Sequence, residues 1–263
     1  MTLDAGTFLG NNKTCVCADG AILSETVYTQ KVYEGWHAHE NTHLTLIVAG
    51  GTTEQRKKGA SEAIPGNVLF YHSGEKHRNG NTQHPSKNIN LEIEPRFYES
   101  YGLDEHAFAV SRLNHTSVAL CLLKMYSASV HDPVNAGCSV HSLLLSLFSL
   151  TREPDTSKGI PDWVPKLRDI LHDHWQELPT LHELAKLINV HPVTISKFFP
   201  RYFHCTLGAY IRKLKVQKAL ALLQQPGRSL TDIAYTCGFF DQSHFIRTFK
   251  WETGFLPKAY KKL

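Results

Sequence analysis

The stretch 230-LTDIAYTCGFFDQSHFIRTFKWETG-254 decides the reading of this chain, because its pattern already stands earlier as 181-LHELAKLINVHPVTISKFFPRYF-203. Leu181, Leu184 and Ala185 match Leu230, Ile233 and Ala234 at an offset of 49. One inserted residue later, Ile195, Lys197 and Phe199 match Phe245, Arg247 and Phe249 at an offset of 50. Each copy predicts a short helix with a small Ala on its buried face, a turn of three or four residues, and a second helix. The small residue lets two helices cross closely, which a helix-turn-helix unit requires.

Working outward, Ile195, Phe198, Phe199, Tyr202 and Phe203 form an i, i+3, i+4, i+7, i+8 stripe facing a core and leave Val193, Lys197 and Arg201 outward. At about 100° per residue, Gln242, Ser243, Ile246, Arg247 and Lys250 share one arc of roughly 140° on the matching helix. Amide, hydroxyl, methyl and guanidinium groups on one arc can read base edges and phosphates in a major groove. "TLHE" at 180–183 predicts a capping box opening the first unit. Ahead of it, "WVPKLRDILHDHWQEL" from Trp163 keeps helical spacing through Leu178.

Charge follows the repeat. Residues 180–263 carry 13 Lys+Arg against 4 Asp+Glu, a net +9, while residues 1–179 carry 15 against 20, a net −5. An acidic body joined to a basic C-terminal third suits a polyanion partner. Small helical bundles also have amphipathic helices and solvated basic faces; the duplicated unit, with its turn at the same place in both copies, favours DNA. The chain begins without a basic stretch and apolar run, and no segment approaches ~18 uninterrupted apolar residues, so the expectation is a cytoplasmic protein without a membrane partner. Its six cysteines lack paired C-x-x-C spacing and read as free thiols.

From about 21 to 94 the pattern changes to short alternating runs between Gly, Asn, Pro and Ser clusters. In "NINLEIE", Ile89, Leu91 and Ile93 face one way and Asn90 and Glu92 the other. These runs predict an antiparallel barrel or sandwich, taken as a cupin-like barrel over 1–95. Residues 96–150 read as a helical segment, expected to support dimerisation, with "HDPVNAG" as its breaker; 151–162, with two prolines and a glycine, reads as a linker to an all-α domain over 163–263. The expected class is therefore α+β.

The residues of the second unit and its tail, Ile233, Ala234, Gly238, Phe239, Asp241, Gln242, Ser243, Phe245, Arg247, Phe249, Lys250, Gly254, Pro257 and Tyr260, resemble the C-terminal signature of the AraC/XylS family of bacterial transcription regulators. "LGAYIRKLKVQKALALL" from Leu207 is similar to the helix that joins the two units in that family. The resemblance implies two recognition helices in successive major-groove segments. It places base reading on Val193, Ser196 and Lys197 in the first unit and on Gln242, Ser243, Ile246 and Arg247 in the second. Thr194, Arg201, Thr248 and Lys250 are expected at phosphates, which position without specifying. Two departures stand out: Pro200 inside the first recognition helix predicts a kink, and His204 replaces the usual glycine at the helix end.

The N-terminal part is cupin-like in outline. "HAHENTH" places His37 and His39 on one side of a strand, His43 follows where metal cupins carry a carboxylate, and His77 lies in the distant "SGEKHR". Four histidines suit zinc, nickel, copper or iron, so a divalent metal at His37, His39, His43 and His77 is one expectation. The other is a metal-free effector pocket lined by Trp36, Tyr71, Phe70 and those histidines; a chain with 16 histidines also clusters some by coincidence. The expected function is a DNA-binding regulator, not an enzyme and with no required cofactor. Its expected partners are double-stranded promoter DNA, a small-molecule effector and RNA polymerase, and it is expected to be a homodimer. The alternative is a metal-dependent cupin enzyme or metal sensor with a DNA-binding tail.

Overall fold

The computed structural model describes residues 1–105, 115–151 and 159–263. The chain is α+β, with strands β1 (Thr2–Leu3), β2 (Asn11–Ala18), β3 (Ala21–Tyr28), β4 (Ala38–His39), β5 (Thr42–Ala49), β6 (Thr52–Arg56), β7 (Gly59–Ala63), β8 (Val68–Tyr71), β9 (Arg78–Gly80) and β10 (Ser86–Ile93). Helices α1 (Pro95–Tyr101), α2 (His115–His131) and α3 (Ala136–Thr151) follow. The C-terminal set is α4 (Trp163–Asp173), α5 (Leu181–Leu187), α6 (Pro192–Phe203), α7 (Leu207–Leu223), α8 (Leu230–Thr236), α9 (Gln242–Thr253) and α10 (Pro257–Tyr260). The expected linker falls largely on 152–158, outside the described residues.

Among the described residues the strands do not close into one hydrogen-bonded ring. They form a five-stranded sheet in the order β2-β3-β10-β5-β8, a three-stranded sheet β7-β6-β9, and the parallel pair β1-β4. The expected barrel is thus open, two sheets facing each other across a chamber to which both contribute side chains. Arg56 of the smaller sheet pins the two together: its guanidinium donates to Glu54, Glu75 and the Phe70 carbonyl and lies 4.5 Å over the Tyr71 ring.

Period-two alternation sorts the larger sheet. Leu44, Leu46 and Val48 of β5 and Ile89, Leu91 and Ile93 of β10 pack into the main apolar core with α2. His43, Thr45 and Ile47, with Asn88 and Asn90, line the chamber. Asn90 is tied there: Thr45 Oγ1 donates to its Oδ1 at 2.9 Å, and its Nδ2 donates to Thr26 Oγ1 at 2.8 Å.

That core does not stop at the domain boundary drawn from the sequence. α2 is buried on nearly every side, with Val118, Ala119, Leu122, Leu123 and Met125 at 0% exposure. The same cluster continues into Val216, Ala219 and Leu220 of α7 and Phe245, Phe249, Phe255 and Tyr260 of the second repeat. Tyr260 donates its hydroxyl to the Val48 carbonyl on β5 at 3.3 Å, and Thr116 of α2 bonds Gln217 of α7. The first repeat keeps a separate core of Leu167, Leu171, Leu184, Ala185, Ile195 and Phe199. The second unit is therefore packed on the N-terminal part through α2, and the first unit through α7.

Candidate nucleic-acid interface and sensor chamber

Both repeats fold as helix, turn, helix, and their equivalence extends to the backbone. Asn189 and Gly238, 49 apart, both turn left-handed at φ 54° and 68°. At Gly238 a Cβ would fall 2.9 Å from the Gln176 carbonyl and 3.0 Å from Lys215 Nζ, so close approach as well as φ selects glycine there. Val190 and Phe239 each donate their amide back to Ala185 and Ala234, at 2.9 Å in both units. The inserted residue is thereby Phe240, 85% exposed at the foot of α9. The expected Thr180/Glu183 capping box forms, and Ser229/Asp232 forms a second one that the S-x-x-D spacing could have revealed.

The recognition helices differ from expectation in defined ways. α6 holds Pro200 inside its span from Pro192 to Phe203, the amide that proline removes being a single bond on an exposed turn. His204 takes the left-handed cap at φ 55°, as Gly254 does in the second unit at 82°, so that end closes in the usual way. α4 stops at Asp173 rather than reaching Leu178. Val193, Ser196, Lys197 and Arg201 are exposed on α6, and Thr194 is half-buried. On α9, Gln242, Ser243, Arg247 and Lys250 are exposed. Ile246 is half-buried against the core. Thr248 is buried, correcting its expected phosphate contact: it lies on the inner face beside Phe245, Phe249 and Glu252. Thr231 Oγ1 donates to Gln242 Oε1 at 2.6 Å, which fixes the amide and leaves its N–H groups to donate outward.

In the N-terminal chamber the sheets bring together what the sequence separates. His37 and His77 form an antiparallel bridge, each amide donating to the other's carbonyl at 2.9 Å, so their side chains leave on the same face. His39, two residues on along an extended strand, joins them. The three rings offer nitrogens that all lie within 4.8 Å of one another, and all three residues are buried. His43 packs tilted against His39 at 4.2 Å and stacks on Tyr71 at 4.6 Å, but stands outside that triad. Trp36 is 40% exposed under the Arg78 guanidinium and does not line the chamber, and Phe70 packs against the apolar core instead. Tyr71 does line it.

Burial dominates the electrostatics. It lowers the pKa of His37, drives His43 well below the ordinary range, and takes His39 to about 4 and His77 to about 3, with neighbouring histidines adding to the effect at the last three. All four rings are neutral at physiological pH. Sequence reasoning missed Glu92 as a site residue. It pairs across the sheet with His43, is 1% exposed, and burial raises its pKa to about 7 although Gly6 N–H donates to Oε1 at 2.8 Å. The signal was its place on the polar face of "NINLEIE"; what hid it was its cover, the N-terminal segment at Gly6 and the Asn41 side chain, which bond its two oxygens. The cleft spans about 570 Å³ including its open mouth, yet only about 30 Å³ admits the centre of a water-sized sphere. That is room for a few atoms, against the several hundred Å³ of a typical small-molecule pocket.

Two helix-turn-helix units joined by a 17-residue helix, each presenting an exposed, partly basic arc on its second helix, define a double helix-turn-helix protein. The C-terminal domain belongs to the AraC-type helix-turn-helix family: the family described as "Helix-turn-helix domain" matches residues 184–263. Among curated proteins, the chain is similar to the uncharacterized HTH-type transcriptional regulator YdeC of Bacillus subtilis, 24% identical over 253 residues covering 86% of both chains. It is likewise similar to the HTH-type transcriptional activator RhaS of Enterobacter sp., 25% identical over 240 residues, 85% of this chain and 86% of that one. The melibiose operon regulatory protein of Escherichia coli K12 is 25% identical over 142 residues, 54% of this chain and 44% of that one. Among solved structures, the chain is similar over 92% of its length to apo ToxT from Vibrio cholerae, 97% of which is covered, at 12% identity and a TM-score of 0.38. No described helix is long and apolar enough to cross a membrane.

Proposed function

We propose that this protein is a transcription regulator of the AraC type, binding double-stranded promoter DNA through α6 and α9 and controlled from the N-terminal chamber. The observation that carries this reading is the open arc of Gln242, Ser243, Arg247 and Lys250 on α9, in a unit whose partner repeat presents Val193, Ser196, Lys197 and Arg201 from the equivalent helix. Arg247, Lys197 and the fixed donor groups of Gln242 read acceptors on base edges, while Lys250 and Arg201 meet phosphates. The relatives' names, a transcriptional regulator and a transcriptional activator, support the same reading.

Control follows from the shared core. β5 carries His43 toward the chamber and Val48 toward Tyr260, so a change in strand position at one end is felt by the second unit at the other. Coupling of this kind is a free energy between two sites, typically about 1–3 kcal/mol. A homodimer and contact with RNA polymerase belong to this reading. With α2 enclosed, the dimer face falls to the exposed side of α3 around Cys138, Ser142 and Ser146. A duplex titration across salt tests the DNA-binding part: log K should fall linearly with log[salt] by about 0.9 per phosphate neutralised. Binding that ignores salt, or no binding, would refute it.

A further inference from the structure

We propose that His37, His39 and His77 form a binding site for one divalent late-transition ion, of the Zn²⁺, Co²⁺ or Ni²⁺ class, and that this ion is the ligand the chamber receives; the second half rests on the sensor reading above.

Hydrogen bonding prepares the donor set. Nδ1 of His37 lies 3.1 Å from the Gly35 carbonyl, and Nδ1 of His77 lies 3.0 Å from the Glu75 carbonyl. A carbonyl oxygen only accepts, so in both rings Nδ1 carries the hydrogen and Nε2 presents a lone pair. Metal-bound histidines show this arrangement: the outer N–H is held by a backbone carbonyl, fixing tautomer and ring direction. Nδ1 of His39, in a residue only 3% exposed, is buried without a well-formed hydrogen bond. The Thr7 backbone gives that ring only a weak contact, so a metal bond there displaces no strong partner.

Geometry and size agree. A triangle of nitrogens with 4.8 Å sides has its centre about 2.8 Å from each, and Zn–N bonds need about 2.0–2.1 Å, so the rings close by at most about 0.7 Å each. The two-way bridge between His37 and His77 holds the backbone on which that adjustment turns. About 30 Å³ of internal space takes an ion and a water and excludes a sugar-sized molecule in this conformation. Nitrogen donors select late transition metals over Mg²⁺ and Ca²⁺, which require oxygen. His43, held against His39 and Tyr71, positions the triad.

The test uses the full-length protein stripped with a chelator and titrated with Co²⁺, read by the visible absorption of imidazole-bound cobalt and by thermal melting, then displaced with Zn²⁺. The expected result is saturation at one ion per chain with a raised Tm. His39→Gln and His77→Gln should each weaken binding by at least about 100-fold, while the exposed controls His174→Gln and His182→Gln leave it unchanged. Circular dichroism of each variant checks folding, and the wild-type cobalt spectrum answers without any variant. Absence of saturable binding, an oxygen-type cobalt spectrum, or undiminished binding in the folded triad variants would overturn the site. A salt titration of a mixed-sequence duplex runs in parallel: DNA binding by a chain that takes no ion refutes this proposal alone. Stoichiometric metal in a chain that binds no duplex refutes the regulator reading and with it the ion's role as signal.

Discussion

Replacing Glu92 by Gln should stabilise the metal-free protein, and only on the alkaline side. Glu92 is 1% exposed and its pKa is raised to about 7 from an ordinary 4.5, chiefly by burial. The unfolded chain releases this proton near 4.5, and the folded chain keeps it until about 7. Between those values the folded state binds more protons, so stability falls as pH rises, and the loss is complete above the folded pKa. The 2.5-unit gap at 1.36 kcal/mol per unit is about 3 kcal/mol. Glutamine keeps the shape, can still accept from Gly6 N–H, and can pair with a reoriented Asn41 amide, yet has no charge to bury. Urea unfolding of wild type and Glu92→Gln in chelator, from about pH 4.5 to 8, reads the difference. The variant should match wild type at the acid end and exceed it by about 3 kcal/mol at the alkaline end; parallel curves across the range would refute the burial argument.

The histidines act in the opposite sense: with folded pKa values of about 4 for His39 and 3 for His77, their contribution to stability is fully present above about 6.5 and is lost as pH falls below it, an acid limb that His39→Gln should reduce in urea melts. Gly238→Ala combines a left-handed φ with a Cβ contact at 2.9 Å and should cost about 2 kcal/mol or more, whereas Asn189→Gly at the equivalent turn should change stability by no more than a few tenths in thermal melts. Tyr260→Phe keeps the ring and removes the hydroxyl that Val48 accepts, costing about 1 kcal/mol; hydrogen exchange should show faster opening of both α10 and β5, and loosening of α10 alone would mean that the contact carries no coupling.

What can be read from the sequence depends on the range of the interaction that fixes it. The two repeats, the Thr180 capping box and the outward placement of Arg247 and Lys250 are local consequences of helical period and end chemistry, and these stand in the structure as read. The same logic puts Glu92 and Asn90 on one face of β10. It cannot say that the N-terminal segment around Gly6 and the Asn41 side chain close over Glu92 and turn it into a buried carboxyl. The meeting of His37 with His77 depends on a pairing 40 residues apart, and Trp36 is drawn toward the pocket by its sequence neighbours although its ring packs outside under Arg78. Thr248 suggests the outer face of α9 by residue type, whereas its helical angle puts it inside. Tyr260 is legible as a signature residue and illegible as the link to β5, because the burial of the second unit on α2 is set by surfaces more than a hundred residues apart.

The central claim is that α9 reads base edges, and one measurement addresses it most directly: the affinities of wild type and Arg247→Ala for a duplex selected from genomic fragments and for a scrambled duplex of equal length, at one fixed salt concentration. The account predicts a loss of about 1–3 kcal/mol, roughly 5- to 150-fold, on the selected duplex and a much smaller loss on the scrambled one. An equal loss on both would mean that Arg247 only touches phosphate, and would contradict it.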